Sequence, residues 1–478
     1  MRRFLASLAL CLVLATFGDA SGSDRSVADA VSALRAMGAT ISDNRNWNGD
    51  RPDEGARFEI FIPSPSAGAS LEQALDLLMT PGLQENLYAI AVGAGTRTTL
   101  DIRTLRAFPR LERLSISYTS VAHPEDLSQL PNLRGLRFFD VADLDLAVVA
   151  RATQVTKLEL ARMRIASLAP LQRMSGLRSL ELWSGQLTDW NSLGSLTQVT
   201  ALKLFMTGGN LDVLAGLRRL RSLELDTVYV GQSGALFRLP LERLSIHDSL
   251  APSLGAILDM ETLRSIDLDT DTLPFAPAAL CERLPALTEI RLREGIAVRD
   301  LNDFAPCRLR VLEVGQPEFT DLAPLARQTA LEELILGQPY ASARPRMTVQ
   351  DIRPLANLVS LRDLRLRGAD VSDFTPLAGL TNLDMLDISH TRASDIAFVR
   401  NLPRLRRLYV AGTSVSDLTP LGACEYLQVL DVASTQVRAS TPLAECSDLR
   451  RLVVSSGLIA DFGPIESLPL FSDMVGRR

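Results

Sequence analysis

Three histidines, five cysteines and a spaced run of aspartates are the residues of this 478-residue chain that could perform chemistry or hold a metal. His123, His247 and His390 lie far apart, so no multi-histidine metal cluster forms locally. His247-Asp248-Ser249 contains the letters of a nucleophilic triad, but consecutive residues of a strand and turn cannot converge as nucleophile, base and orienter. Asp267, Asp269 and Asp271 alternate, which places Asp267 and Asp269 on one face where calcium is conceivable. The glycine and distant glutamate of a calcium loop are missing, and a solvated acidic face is the simpler reading. Glu159 and Glu181 could pair as carboxylates, but an open sheet offers little desolvation to separate their pKa values. No glycine-rich phosphate loop follows any expected strand. Neither catalytic residues nor a metal or cofactor is expected, and the chain reads as no enzyme.

The elements that must position these residues repeat. Leu-x-x-Leu-x-Leu, with Ile, Val or Phe allowed, starts at Leu111, Leu133, Val155, Leu177, Val199, Leu220, Leu241, Leu263, Leu287, Leu309, Leu331, Leu361, Leu383, Leu405, Leu427 and Leu449, mostly 22 residues apart. A coil beginning at Leu87 brings the count to about 17. This period marks a leucine-rich repeat solenoid. In Leu427-Gln-Val-Leu430-Asp-Val432, Leu430 and Val432 point inward and Val429 and Asp431 outward, as in a short strand stacked in parallel on its neighbours. Asp417-Leu-Thr-Pro420-Leu421 then turns the chain, since proline fixes its own φ and restricts the residue before it. A short helical or 3-10 turn follows, and each coil buries its apolar side only against its neighbours.

Ser416-Asp-Leu-Thr-Pro-Leu421, Ser372-Asp-Phe-Thr-Pro-Leu377 and Thr320-Asp-Leu-Ala-Pro-Leu325 resemble bacterial leucine-rich repeats of the internalin type, over roughly Leu87 to Pro469. The resemblance implies an α/β right-handed solenoid with a parallel β-sheet on a concave, protein-binding face and short helical or 3-10 turns on the convex face. Such repeats usually carry Asn after the strand, whereas this chain has Thr119, Thr391, Thr413 and Thr435, whose hydroxyls can still bond turn backbone.

Four segments are expected. Residues 1–20 read as a signal peptide: Arg2 and Arg3 precede an apolar run from Phe4 to Phe17, and Gly18-Asp19-Ala20 supplies small residues for cleavage. Residues 21–84 form an N-terminal cap with a helix over Val27–Met37 stopped by Gly38, a polar loop, a strand over Phe58–Ile62 and a helix over Ser70–Met79 capped by Ser70. Residues 85–470 form the solenoid, and 471–478 a tail beyond a last strand near Val454. Between Leu331 and Leu361 the spacing rises to 30, placing a protruding insertion near 337–350 with Tyr340, Arg344 and Arg346 as candidate contacts.

The composition is that of a folded chain, 46% hydrophobic and 5% aromatic, with a net charge of −6. Only two of its fifty basic residues are lysines, Lys157 and Lys203, and nucleic acid is not expected as a partner. No membrane span is expected after leader cleavage, and the chain reads as exported, periplasmic or secreted. Cys424 and Cys446 both stand three residues before their repeat's first leucine, so they stack on adjacent coils. With neighbouring strands about 4.8 Å apart, an exported protein is expected to bridge them. Cys281 and Cys307 occupy different phases of their repeats.

The outward residue just beyond each last core position runs Ser117, Phe139, Ala161, Trp183, Phe205, Asp226, His247, Asp269, Arg293. Rings cluster there, with Tyr118 nearby and charge following. With Arg137, Asp267 and Arg291 on the same face, this is the expected binding surface for another macromolecule, a protein. The alternative is a structural or scaffolding component of the bacterial cell envelope without a localised hot spot.

Overall fold

The structure, a computed structural model, describes residues 26–43, 58–63, 70–93 and 98–455 apart from 184–185, 206–207, 210, 231–233, 235, 249–253, 271–272 and 338–346, and then 459, 462–468, 471 and 473–475. The expected signal peptide, Ser249, Asp271 and the insertion residues Tyr340, Arg344 and Arg346 lie outside the described residues. The chain divides into two compact units, Met1–Leu239 and Pro240–Arg478.

The N-terminal unit opens with helix α1 (Val27–Ala36), which buries Ala30 and Leu34 and ends at Gly38, where φ is +87°. Its N-cap is Ser26, whose hydroxyl accepts the Asp29 amide at 3.2 Å. Helix α2 (Leu71–Leu78) carries a capping box: Ser70 Oγ accepts the Gln73 amide at 3.1 Å, and Gln73 Oε1 accepts the Ser70 amide at 2.9 Å. The strand Phe58–Pro63 pairs in parallel with Leu87–Gly93. On its other edge it pairs antiparallel with Thr40–Asp43, a strand within the stretch expected to be loop. Too short to show a period, that segment takes its structure from the edge it pairs with.

Regular coils follow. The strands Arg113–Ser117, Gly135–Phe139, Lys157–Ala161, Ser179–Trp183, Ala201–Phe205 and Ser222–Asp226 pair in parallel, each with the next. Within the C-terminal unit, parallel pairing runs from Arg243–His247 through Ser265–Asp269, Glu289–Val298, Val311–Pro317 and Glu333–Leu336. It continues through Asp363–Arg365, Met385–Asp387, Arg407–Tyr409 and Val429–Asp431 to Arg451–Val453. A further strand, Asp473–Val475, pairs with Arg451–Val453, so part of the expected tail is sheet. The inward positions are fully packed: Leu114, Leu136, Leu158 and Leu180 are buried in one unit, Leu364, Leu386, Leu408 and Leu430 in the other.

Three local devices recur among the coils. Asp417 Oδ1 accepts the Thr419 amide at 2.8 Å, and Asp373 and Asp321 do the same for Thr375 and Ala323, capping 3-10 turns with proline in their first two positions. The buried threonines donate to carbonyls of their own turn: Thr391 to Ile388 at 2.7 Å, Thr413 to Val410 at 2.6 Å and Thr435 to Val432 at 2.7 Å. Just past the strand, one residue adopts a left-handed conformation: Tyr118, Asp140, Arg162 and Thr227 in the first unit, Asp248, Gly368, His390, Gly412 and Ser434 in the second. That conformation aims the amide along the sheet. Tyr118 N–H meets the Phe139 carbonyl at 3.0 Å, Asp140 that of Ala161 at 2.9 Å and Arg162 that of Trp183 at 2.9 Å, extending the ladder by one bond. An interstrand bond therefore accompanies a conformation that costs a non-glycine residue about 1–2 kcal/mol.

The cysteines differ from expectation. Cys281 and Cys307 form the disulfide, with Cα atoms 5.1 Å apart, while Cys424 and Cys446 are free and buried. Equivalent side chains on stacked coils run parallel rather than toward each other, so coil spacing alone does not bring two sulfurs together. Each thiol is turned to the preceding coil's 3-10 turn, Cys424 Sγ to the Val399 carbonyl at 3.8 Å and Cys446 Sγ to the Leu421 carbonyl at 3.5 Å. Gln328 holds the equivalent place four coils before Cys424 and likewise donates to carbonyls of the coil before it, those of Phe304 and Cys307.

Candidate binding surface

The eleven sheet residues singled out from sequence fall into two groups, one in each unit. In the N-terminal unit the registers align Ser117, Phe139, Ala161, Trp183, Phe205 and Asp226 in one row. The Trp183 and Phe205 rings stack with centroids 3.7 Å apart and planes 11° from parallel. Trp183 keeps 38% of its surface exposed and Phe205 only 7%, so Phe205 backs one face of the indole from the next strand and presents almost nothing to a partner. Tyr118, placed by its left-handed backbone, meets Phe139 edge-on at 5.2 Å and is also 38% exposed.

Arg162 was not foreseen. It occupies the same left-handed position as Tyr118 two coils on, and its guanidinium lies 5.7 Å from the Phe139 centroid, with that of Arg137 at 5.8 Å. Only the turn conformation brings it to the ring; its place in the sequence is outside the strand.

One row in, ion pairs cross from strand to strand: Arg137 to Glu159 at 2.9 Å, Lys157 to Glu181 at 2.8 Å and Lys203 to Glu224 at 2.8 Å. Burial pushes the Glu159 carboxyl above its ordinary range against the pull of Arg137. Burial alone would lower Lys203, but the hydrogen bond and charge of Glu224 outweigh it and leave its pKa raised. Asp226 is half-buried and accepts the Thr227 hydroxyl at 2.9 Å.

In the C-terminal unit Asp267 is the hub. Arg293 grips both its oxygens, Nε to Oδ1 at 2.7 Å and Nη2 to Oδ2 at 2.8 Å, while His247 Nε2 stands 3.3 Å from Oδ1. Burial would raise this carboxyl, yet the hydrogen bonds and charges of Arg293 and His247 hold it at about 2. Arg291 sits among Glu289, Glu313 and Glu333 at 3.7, 3.6 and 3.3 Å, and burial raises Glu313. Asp269 is half-buried, and its carbonyl accepts the Asp248 amide. With both Asp267 oxygens engaged by arginine, the acidic row is arranged as an ion-pair network. Among the described residues no three His, Cys, Asp or Glu side chains gather as metal ligands. No helix among them is long and apolar enough to cross a membrane.

These coils, with their parallel registers and 3-10 turns, make the chain a leucine-rich repeat protein. No protein-family model matches it, and no curated protein resembles it in sequence. Solved leucine-rich repeat structures are similar to it in three dimensions. An internalin from Listeria monocytogenes is 22% identical, over 68% of this chain and 88% of that one, with a TM-score of 0.44. A leucine-rich repeat protein of Leptospira interrogans is 17% identical over 85% and 98%, with a TM-score of 0.47. The Arabidopsis receptor kinase HAESA, solved with the peptide hormone IDA and a co-receptor, is 16% identical over 94% and 86%, with a TM-score of 0.43.

Proposed function

We propose that this is an exported, non-enzymatic binding protein that recognises another protein through the sheet face of its N-terminal unit. The carrying observation is Trp183: a large ring, held flat by Phe205, that stays 38% exposed in a chain only 5% aromatic. A pre-oriented indole loses little freedom on association, which is the property of an interface anchor. Tyr118 and the arginines around Phe139 add further contact groups on the preceding coils. The Cys281–Cys307 bridge supports export, because such bonds persist in oxidising compartments.

The test is affinity capture from envelope extract and from host-cell lysate with the mature chain and with Trp183→Ala, read by mass spectrometry. A partner retained by the first and lost by the second supports the reading. Identical retention by both chains removes it and favours a structural role in the envelope, the second reading, which the internally paired charges of the face support.

A further inference from the structure

Resting on that reading, we infer that the sheet face of the N-terminal unit takes an acidic, extended segment of its partner protein. The three strand-to-strand ion pairs are layered rather than level. Arg137, Lys157 and Lys203 expose 48%, 53% and 41% of their side chains, whereas Glu159, Glu181 and Glu224 expose 13%, 8% and 25%. A partner therefore meets cationic heads, and the carboxylates below hold those heads in place. Arg162, 57% exposed, adds a fourth beside Phe139.

The C-terminal unit layers its charges less uniformly: Arg293 exposes 38% of its side chain over Asp267 at 14%, but Arg291 lies deeper than two of its three partners. Arg291 is 22% exposed, less than Glu289 at 30% and Glu333 at 27%. On the N-terminal face the exposed cations stand together with the exposed rings Tyr118 and Trp183.

Alternating cations and rings suit a peptide whose carboxylates are separated by apolar side chains. A nucleic acid strand presents closely spaced phosphates, whereas Arg137, Lys157 and Lys203 each already have a carboxylate within 2.9 Å and Arg162 has Asp140 at 3.7 Å, in a chain of net charge −6. Those carboxylates and that net charge oppose a dense polyanion more than isolated carboxylates.

Lys157 and Lys203 are the only lysines in the chain, so an amine-acetylating reagent reports on this face without competing side chains. The full chain is acetylated alone, with a short peptide alternating Glu or Asp with Leu and Trp, with its Gln/Asn counterpart, and with a single-stranded oligonucleotide of equal charge. The acidic peptide, at about four times its Kd, should slow acetylation of both lysines about fivefold by occupancy. The neutral peptide and the oligonucleotide should not. Raising salt from about 0.1 M to about 1 M, which shortens the Debye length from about 10 to about 3 Å, should weaken peptide binding about tenfold or more.

Absence of protection by the acidic peptide, equal protection by the neutral one, or protection by the oligonucleotide would each overturn the inference. If Trp183→Ala still loses a captured partner in those cases, the binding reading stands and only the partner's chemistry is wrong. If the variant loses nothing, the binding reading falls as well.

Discussion

The Trp183 indole lies nearly parallel to the Phe205 ring of the next strand, 3.7 Å between centroids, and the two divide their work: one ring is exposed and the other buried. The roles of adjacent residues in the same row of the sheet are therefore unequal, and their substitutions separate.

Phe205→Ala removes a buried ring and should cost about 3 kcal/mol of stability, within the range for aromatic truncation in a core. Trp183→Ala should cost far less stability but weaken partner binding by about 2 kcal/mol or more. Denaturant unfolding and binding isotherms of both variants check this. A larger stability loss for Trp183→Ala than for Phe205→Ala would invert the assigned roles.

Asp267 governs acid sensitivity in the C-terminal unit. Its carboxyl is held at about 2 in the fold against an ordinary 3.8, so its contribution is complete above the ordinary value and lost as pH falls toward about 2. A shift near two units corresponds to about 2–3 kcal/mol. Glu313, raised by burial, acts in the opposite sense, so the informative quantity is the difference between wild type and Asp267→Asn. That difference should shrink by about 2 kcal/mol between about pH 6 and about pH 2.5. A constant difference across this window would show that the Arg293 contact does not stabilise the charged form.

Alkylation should sort the cysteines into two classes. Burial pushes the Cys424 thiol up to about 11 and Cys446 up to about 12, so at neutral pH both react slowly in the fold and promptly after denaturation. Cys281 and Cys307 should need a reductant as well. Peptide mapping after each treatment distinguishes this from a Cys424–Cys446 bridge, which would leave those two unmodified until reduction.

The threonine turns carry a measurable share of stability. Thr413→Val keeps the shape but leaves the Val410 carbonyl without the hydroxyl 2.6 Å away, a loss of about 1 kcal/mol. Gly412→Ala should also destabilise, since φ is +68° and an added Cβ would meet His390 Nδ1. Unfolding midpoints at unchanged m-value test both. If Thr413→Val were neutral, the hydroxyl bond would contribute nothing net.

The 22-residue spacing, by itself, determined the parallel coils, their inward leucines and the proline turns, and local capping and apolar spacing determined helices α1 and α2. Alternation along each strand also placed Phe139, Trp183 and Phe205 on one face, while Tyr118, one residue past its strand, reaches Phe139 through its left-handed backbone. Which ring faces solvent was decided by tertiary structure, as was the arrival of Arg162 over Phe139, because both depend on how turns of neighbouring coils aim side chains. The same holds for the cysteines. Equal phase put Cys424 and Cys446 on adjacent coils, but the carbonyls of the preceding turns set where their sulfurs point, and only Cys281 and Cys307, out of phase with each other, converge to bond. Thr40–Asp43 and Asp473–Val475 became strands through the neighbours they pair with. A period specifies a stack of backbones; the directions of side chains across that stack exist only once the coils are in contact.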